Sequence, residues 1–298
     1  MTSFTEKIPV IFDCDNTFGV PGCDVDDGLA LLYLLGCPEV ELLGVTCSFG
    51  NNQQSTVYRN TCRLLRAWGR NDIPVYRGAD DPTDRQSAAS EFLAEMAQKY
   101  AGKLYILATG AMTNLLGATL YDPNFFSNVA AFSLMGGLTE PLLVGGKPMA
   151  ELNLSCDPAA SLAVLRREGR VMIATAKNSL ASFFPTAECK QIFWQKGGPL
   201  SRYLNEHMEY WFDLYAREWN LQGIVVWDVM AAVQMLHPEF VEMVKMPLTP
   251  TLKSLETGWL IGDGTPLQVW VPRIKDKEAY MRHVYDTFYA ADVHIAER

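Results

Sequence analysis

Five aspartates lie within fifteen positions near the start of the chain, between two apolar segments, in the stretch VIFDCDNTFGVPGCDVDDGLALLYLL. They are Asp13, Asp15, Asp24, Asp26 and Asp27. Carboxylates that lie close together repel one another, and each resists transfer out of water. Such hard oxygen ligands suit Ca²⁺ or Mg²⁺ better than Zn²⁺. The cluster therefore predicts a divalent-cation site.

The alternative is a purely structural role for the same acids. Asp26 and Asp27 open an apolar helical pattern, where carboxylates favour the helix dipole, and Asp13 would cap a turn. This alternative accounts for two or three acids but not for five.

The segments that must position these acids alternate between strand and helix patterns up to about residue 176. Apolar runs bounded by glycine, with amphipathic helices between them, favour a parallel sheet covered on both faces. We therefore predict an α/β fold, a single domain over residues 1–298 with a mostly parallel, doubly wound sheet. After about residue 190 the pattern turns helical and aromatic, and residues 251–271 are predicted to form a strand pair or hairpin.

The ends of the predicted strands carry the polar residues. In open parallel sheets, ligands bind outside the carboxyl ends of the strands. Asp13 and Asp15 end the first strand, and residues 48–51, 109–114 and 135–137 follow later strands. We expect these residues to line one rim.

Composition limits the kinds of molecule that the protein is expected to bind and its expected location. The net charge is −9 and no basic run exceeds Arg166-Arg167, which argues against nucleic acid or an anionic membrane as partner. No apolar run approaches the roughly 20 residues of a membrane span, and the N-terminal stretch lacks a secretory pattern, so a cytoplasmic location is expected. The seven cysteines are odd in number and irregularly spaced, which predicts reduced thiols.

The four histidines fit no metal-ligand spacing. His237 precedes Pro238 at the expected end of a helix, which favours a capping role.

One functional hypothesis comes from VIFDCDNT, which fits the apolar-D-x-D-x-T strand end of haloacid-dehalogenase-like phosphatases. In that family the first aspartate is the nucleophile, the second is the general acid, and Mg²⁺ assists phosphoryl transfer. LIGDGT around Asp263 resembles the family's late acidic motif, but no second acid follows within reach. The phosphatase therefore stays an alternative.

The order of motifs along the chain resembles the nucleoside hydrolase family of the inosine/uridine-preferring type. The family opens with D-x-D-x-G-x-D-D or a longer D-x-D-x-G-x-D-x-D-D, and the matching stretch here is DCDNTFGVPGCDVDDG. Five further matches then follow in the family's order: FGN (49–51), LATGAMTNLLGA (107–118), LMGG (134–137), AELNLSCDPAA (150–160) and VVWDVMAAV (225–233).

The resemblance implies a ribonucleoside hydrolase that cuts the N-glycosidic bond between ribose and a nucleobase, with Ca²⁺ holding the attacking water. By position, Asp15, Asp27 and Asp228 would supply carboxylates to Ca²⁺, and Thr113 its backbone carbonyl. Asp15 would also act as general base. The residues expected to bind ribose hydroxyls are Asp26, Asn51, Glu151 and Asn153.

The same resemblance implies the partners. The substrate would be a small nucleoside, used in nucleoside salvage, and the protein would form a homo-oligomer. A protein that binds nucleosides without cleaving them is the second alternative.

Two departures from the family concern the base. Many members carry histidine before the late aspartate, whereas this chain has Trp227, which resembles the purine-preferring branch, where the indole stacks on the base. This assigns Trp227 a catalytic role through the leaving base and predicts a purine preference; the alternative is a core tryptophan. The loop after the third strand holds no tryptophan, so Trp211 and Tyr215, four apart on one helical face, are predicted base contacts, with a core stripe as alternative.

A third departure is a longer opening loop, residues 16–23. Gly19, Pro21 and Gly22 predict a turn that bulges out over the rim.

Overall fold

The computed structural model describes residues 6–295 of the 298-residue chain. The domain prediction also covers residues 1–5 and 296–298, and the secretory-signal prediction covers residues 1–5; those parts of both predictions lie outside the described residues. The strands in the described part are β1 (Ile8–Cys14), β2 (Val40–Cys47), β3 (Val75–Arg77), β4 (Tyr105–Ala108), β5 (Ala131–Met135), β6 (Leu143–Val144), β7 (Lys147–Pro148), β8 (Arg170–Ala174), β9 (Phe183–Pro185), β10 (Gly223–Val225), β11 (Val241–Leu248) and β12 (Leu267–Ile274). The helices are α1 (Asp26–Gly36), α2 (Gln54–Ala67), α3 (Ala88–Lys99), α4 (Thr113–Ala118), α5 (Phe125–Asn128), α6 (Pro158–Arg166), α7 (Ala176–Ser179), α8 (Thr186–Lys196), α9 (Gly198–Trp219), α10 (Trp227–Leu236), α11 (Leu252–Leu255) and α12 (Lys277–Ala290), with a 3₁₀ turn at Pro238–Phe240.

The central sheet has eight strands in the order β11-β12-β8-β5-β4-β1-β2-β3. All neighbours in it pair in parallel except β11 and β12, which are antiparallel. Two short antiparallel pairs, β6–β7 and β9–β10, lie outside it. The predicted fold class, a single α/β domain with a mostly parallel sheet flanked by helices, is confirmed.

The sheet divides the apolar core into two layers. In β1, Val10 and Phe12 belong to one layer with residues of α1 and α10, whereas Ile11 belongs to the other with residues of α3 and α4. Because successive side chains of a strand point to opposite faces, a strand covered on both faces is apolar throughout. This is why β1 reads as a continuous apolar run in the sequence.

The predicted hairpin over residues 251–271 is wrong. The antiparallel partner of β12 is β11, which starts at Val241, and the connection between them contains the short helix α11. Thr251 caps that helix by accepting the amide N–H of Ser254, so the segment after β11 turns into a helix instead of a strand.

The inserted loop, residues 16–23, is anchored on two helices. Phe18 is fully buried, with its ring 6.3 Å from that of Tyr203 on α9 and 6.2 Å from that of Trp68 after α2. The Asn60 side chain donates to the carbonyl oxygens of Asn16 and Phe18, and Tyr210 donates to that of Cys23. The predicted turn exists, with its tip exposed, but the loop is held between α2 and α9 and does not bulge freely.

The cysteine prediction agrees with the structure, since all seven cysteines are free thiols and four of them are buried. Within residues 6–295, none of the helices is long and apolar enough to span a membrane.

Candidate active site

A cavity of about 220 Å³ opens at the carboxyl edge of the central sheet. Asn51 after β2, Thr109 after β4 and Met135 at the end of β5 line it, so residues that follow three different strands meet there, as expected for this kind of sheet. The other lining residues are Asp24, Asp26, Gly136, Leu142, Met149, Ala150, Glu151, Leu152, Asn153, Ala176, Trp227 and Asp228.

Three carboxylates from two helices converge at this cavity. Asp26 and Asp27 lie in the first turn of α1, and Asp228 lies in the first turn of α10. One carboxylate oxygen of each lies within 4.8 Å of the others, and all three side chains are buried. The positive ends of both helix dipoles stabilise the negative charge. The early and late acids, about 200 positions apart in sequence, therefore share one site.

Asp15, which follows β1, lies beside the same three carboxylates. It is fully buried, and Oδ2 accepts the backbone N–H of Asn51 at 2.6 Å. The Asn51 side-chain amide lies 3.2 Å from Asp15 Oδ1 and 3.4 Å from Asp27 Oδ2, so it bridges the two carboxylates. The longer opening loop therefore does not separate Asp15 from Asp27.

Burial shifts the titration of these acids upwards. Burial raises the pKa of Asp15 to about 7, although the hydrogen bond from Asn51 acts to lower it. Burial, together with the charge of Asp27, raises the pKa of Asp26 to about 6. The pKa values of Asp27 and Asp228 are raised well above the usual range, first by burial and then by neighbouring aspartates. The charged neighbours in this group are thus mainly of the same sign.

This donor set fits a hard divalent cation. Within the described residues, no lysine or arginine forms an ion pair with Asp15, Asp26, Asp27 or Asp228. Buried carboxylates without a partner are costly, whereas a cation among them removes the repulsion. Oxygen-only donors match Ca²⁺ or Mg²⁺.

Thr109 is the threonine that contacts the acids. Its hydroxyl donates to Asp27 Oδ1 at 2.7 Å. The hydroxyl of Thr113, the threonine selected from the sequence, donates instead to Asp157 at 2.7 Å, in a network that also holds Arg85 and the start of α6. The Thr113 hydroxyl therefore lies away from the cluster. The role predicted for Thr113 is carried by its backbone carbonyl, so these hydrogen bonds do not bear on it and it stays a prediction.

Glu151 and Asn153 both line the cavity, as expected for ribose-binding residues. The Glu151 carboxylate already accepts the backbone N–H groups of Gly137, Leu154 and Ser155 at 2.7–3.1 Å. Burial raises its pKa, and these three donors oppose that shift. Asn153 donates its amide to the Met135 carbonyl at 3.2 Å, which holds the side chain in place at the cavity wall.

Trp227 lines the cavity, whereas Trp211 and Tyr215 lie in the layer behind it. The Trp227 indole N–H donates to the Tyr215 hydroxyl at 3.2 Å, and the rings of Trp211 and Tyr215 pack edge to face at 5.4 Å. Neither Trp211 nor Tyr215 lines the cavity, so a direct contact of either residue with a base stays a prediction. They fix the position of the Trp227 ring.

The two aspartates that the phosphatase alternative requires do not lie in the cavity. Asp13, which would be the nucleophile, is fully buried and accepts hydrogen bonds from Thr46 and Asn114 at 2.6 and 2.9 Å. Burial raises its pKa to about 7. Asp263 lies in an exposed turn. Neither side chain lines the cavity.

Comparison with known proteins identifies the family. The model of the inosine-uridine preferring nucleoside hydrolase family matches residues 10–284. The chain belongs to this nucleoside hydrolase family. The predicted family is therefore confirmed, as is the prediction that the chain is an enzyme of the N-glycosyl hydrolase type.

The relatives of this nucleoside hydrolase differ in their named specificity. A probable uridine nucleosidase 2 of Arabidopsis thaliana is 29% identical over 254 residues, covering 75% of this chain and 76% of the relative. The pyrimidine-specific ribonucleoside hydrolase RihA of Citrobacter koseri is 28% identical over 264 residues, covering 78% and 80%. The solved structure of a purine-preferring ribonucleoside hydrolase from Gardnerella vaginalis superposes with a TM-score of 0.81 at 21% identity, covering 95% and 99%.

Sequence reasoning placed Thr109 on the rim and Asp24 in the acidic cluster but named neither as a ligand or a substrate contact, although both line the cavity. Thr109 follows β4 directly, so its place at the strand end was the available signal. Asp24 was one of the five clustered acids, and its carboxylate accepts the N–H groups of Val25 and Asp26 just before α1.

Replacing Gly50 should disable the site, because a Cβ there would lie 1.9 Å from Asp15 Oδ2. The loop after β2 would move away from Asp15, and with it the Asn51 backbone N–H. We expect Gly50→Ala to lower kcat/KM for a nucleoside by about 100-fold or more, since misplacements near 1 Å cost that much. Gly22→Ala is the matched control, because Gly22 also has positive φ but no atom within 4 Å of its Cβ position. Equal activities of the two variants would contradict this account.

Stability of the metal-free enzyme should fall as the pH rises. The folded pKa values of Asp13 and Asp15 are about 7 against an ordinary 3.8, so the folded state holds protons that the unfolded chain releases above about pH 4. Stability is therefore lost as the pH rises through 7. In chelator, urea unfolding should give a lower free energy of unfolding at pH 8 than at pH 5.5, and saturating Ca²⁺ should reduce the difference, because the cation replaces the proton on Asp15 but not the one on Asp13. Asp13→Asn should reduce the pH dependence and the exposed Asp263→Asn should not; an unchanged slope with Ca²⁺ would refute the prediction.

Proposed function

We propose that this enzyme hydrolyses the N-glycosidic bond of ribonucleosides to ribose and free base, with Ca²⁺ held by Asp15, Asp27 and Asp228. The observation that carries the proposal is the convergence of buried, uncompensated carboxylates from α1, α10 and the end of β1 beside one cavity that Trp227 also lines. The cavity thus has carboxylates, which suit a sugar and a cation, next to an aromatic ring, which suits a base.

The cation and Asp15 have different chemical roles in the proposed mechanism. When bound, Ca²⁺ would offset the carboxylate repulsion and lower the pKa of the attacking water. Asp15 would take the proton from the attacking water as general base, and a cation beside it would keep its carboxylate charged for that task. Access to Asp15 requires the Asn51 amide to turn aside, and its side-chain bonds to the acids, 3.2 and 3.4 Å, are long.

Bond cleavage leaves positive charge on the sugar. As the water oxygen attacks C1′, the C1′–N bond breaks and its electron pair goes to the base nitrogen, through an oxocarbenium-like state that nearby carboxylates stabilise. Asp26 and Asp228 line the cavity and supply that negative field. Asp26, Asn51 and Asn153 face the same cavity and bind the ribose hydroxyls. Glu151, whose oxygens hold three backbone amides, shapes this wall.

The leaving base needs a proton, and no histidine lines this cavity within the described residues. Stacking of a purine on Trp227 raises the basicity of the ring, so solvent supplies the proton. The apolar residues Met135, Leu142 and Met149 complete the base side of the cavity. A purine presents a larger face to the indole than a pyrimidine does, and on this ground we propose a purine preference.

A pyrimidine preference is the second candidate. It is favoured by the names of the relatives from Arabidopsis thaliana and Citrobacter koseri, both matched over three quarters of this chain or more.

Release of ribose from inosine, adenosine and uridine, with and without chelator, tests the proposal. We expect turnover that chelation reduces at least 100-fold and Ca²⁺ restores, with kcat/KM higher for the purines. Asp27→Asn should lose activity in all conditions because it removes a proposed ligand. Metal-independent cleavage would refute the Ca²⁺ mechanism, and faster cleavage of uridine would reverse the preference. Binding without turnover would favour the nucleoside-binding alternative, and hydrolysis of p-nitrophenyl phosphate the phosphatase.

The role of the indole is tested by Trp227→Ala. Aromatic stacking on a base contributes about 1–3 kcal/mol, which corresponds to roughly 5- to 150-fold in rate. We expect kcat/KM for inosine to fall within that range, with a smaller loss for uridine. Trp194→Ala, at an 84% exposed tryptophan on α8, is the matched control and should leave both values unchanged. Equal losses for purine and pyrimidine would show that Trp227 does not set the preference.

A further inference from the structure

A second group of potential ligands lies at the opposite ends of the same two helices. Cys37 caps the C-terminus of α1, Glu39 directly precedes β2, and His237 caps the C-terminus of α10. A sulfur, a carboxylate oxygen and a ring nitrogen from these three all lie within 4.8 Å of one another. His237 Nε2 is 3.0 Å from Glu39 Oε1. Thiol, imidazole and carboxylate form a donor set of a different chemical kind from the all-aspartate cluster.

A hydrogen-bond chain orients the histidine. The Tyr33 hydroxyl lies 2.6 Å from His237 Nδ1 and 2.7 Å from His283 Nε2, so it connects the two rings. His283 stacks on Phe240 at 4.2 Å, and burial, together with the charge of His237, lowers its pKa to about 4, which keeps it a neutral acceptor. The Tyr33 hydroxyl then donates to His283 Nε2 and accepts a hydrogen bond from the Nδ1–H of His237. This hydrogen bond fixes the His237 ring so that Nε2 faces Glu39, 3.0 Å away.

We propose that Cys37, Glu39 and His237 bind Zn²⁺ or a chemically similar divalent transition metal. Zinc bonds of about 2.0–2.1 Å to nitrogen and oxygen in a tetrahedron place those atoms roughly 3.3 Å apart, close to the 3.0 Å seen here. The Glu39 and His237 side chains are 33% and 18% exposed, so an ion reaches the site from solvent. Tyr33 acts as the outer partner that zinc-binding histidines use on their second nitrogen.

A bound metal would replace a proton in this group. Without metal, the Cys37 thiol is buried, and burial together with the charge of Glu39 raises its pKa. Binding requires the thiolate, so it must release a proton, and the affinity must rise with pH. A simple ion pair between His237 and Glu39 beside an inert thiol is the alternative, and it predicts neither effect.

The location gives the site a structural role. α1 and α10 pack against each other, and their N-termini carry Asp26, Asp27 and Asp228. A metal at the far ends would cross-link the helices about 16 Å from the acids, given 11 residues in α1 and a rise of about 1.5 Å per residue. It would stabilise the fold by binding only the folded state. This inference does not depend on the proposed function.

Titration of the full-length, metal-stripped protein with ZnCl₂ tests the site, with saturating Ca²⁺ present to occupy the aspartate cluster. We expect one equivalent of Zn²⁺ to bind by calorimetry, with release of a proton and a higher melting temperature. CoCl₂ should produce the ultraviolet charge-transfer absorption of a cobalt–thiolate bond. Absence of Zn²⁺ binding, or binding without thiolate absorption, would overturn the proposal.

Variants assign the ligands. Cys37→Ser and Glu39→Gln should each lower the Zn²⁺ affinity at least tenfold, and Cys37→Ser should abolish the cobalt–thiolate band. Tyr33→Phe should lower the affinity by about 10- to 100-fold, the usual effect of losing the outer hydrogen bond. Cys62→Ser on α2 and Glu41→Gln, at an exposed position on β2, are the matched controls and should bind as the unmodified chain does.

Circular dichroism of each variant checks folding. If Cys37→Ser does not fold, Glu39→Gln carries the test, because Glu39 is partly exposed and the substitution conserves shape. Unchanged affinity in a folded Glu39→Gln or Cys37→Ser variant would place the Zn²⁺ elsewhere and refute the site.

Discussion

The mutual repulsion of buried carboxylates is the constraint on which the active-site architecture depends. Asp15, Asp27 and Asp228 are each almost fully buried, and the pKa values of all three are raised first by burial and also by neighbouring aspartates. Neutral hydrogen-bond donors and helix N-termini offset part of this cost. Asn51 and Thr109 donate to the acids, and the dipoles of α1 and α10 point at them. The remaining charge is what gives the site its affinity for a cation.

The parallel sheet makes this concentration of charge possible. Its strands end at one edge, so short segments after β1, β2 and β4 bring Asp15, Asn51 and Thr109 together without long loops. The strands themselves are packed on both faces, which makes the edge rigid. Small residues then allow close approach, as at Gly50, where any side chain would collide with Asp15. Preorganisation of the acids is therefore a property of the sheet, not of the individual loops.

Local periodicity predicted the alternating part of the fold, and strand-end position placed Asp15 on the rim. The meeting of Asp15 and Asp27 with Asp228 was implied only by the resemblance to the family, because no local pattern links residues about 200 positions apart. Sequence patterns failed where the outcome depends on tertiary packing. Residues 251–271 have alternation typical of strands, but the partner of β12 was the preceding segment, β11. Trp211 and Tyr215 were correctly placed on one helical face, yet only packing decides that this face supports Trp227 from behind. The contact of His237 with Glu39 joins residues so far apart in sequence that no ligand spacing could reveal it.

The start of α10 joins the residue proposed to contact the base to one of the carboxylates proposed to act on the sugar. Trp227 and Asp228 are adjacent residues in its first turn, and both line the cavity. Any shift of α10 along its axis therefore moves the indole and the carboxylate together, so their relative position is fixed by one peptide unit. The hydrogen bond from the indole to Tyr215 on α9 fixes the ring further, and α9 in turn holds the inserted loop through Tyr203 and Tyr210. Asp24, the residue that follows the loop, lines the same cavity. Two of the three departures from the family pattern, the tryptophan before Asp228 and the longer loop, are thus joined through α9, and a change in either alters the geometry of the same cavity wall.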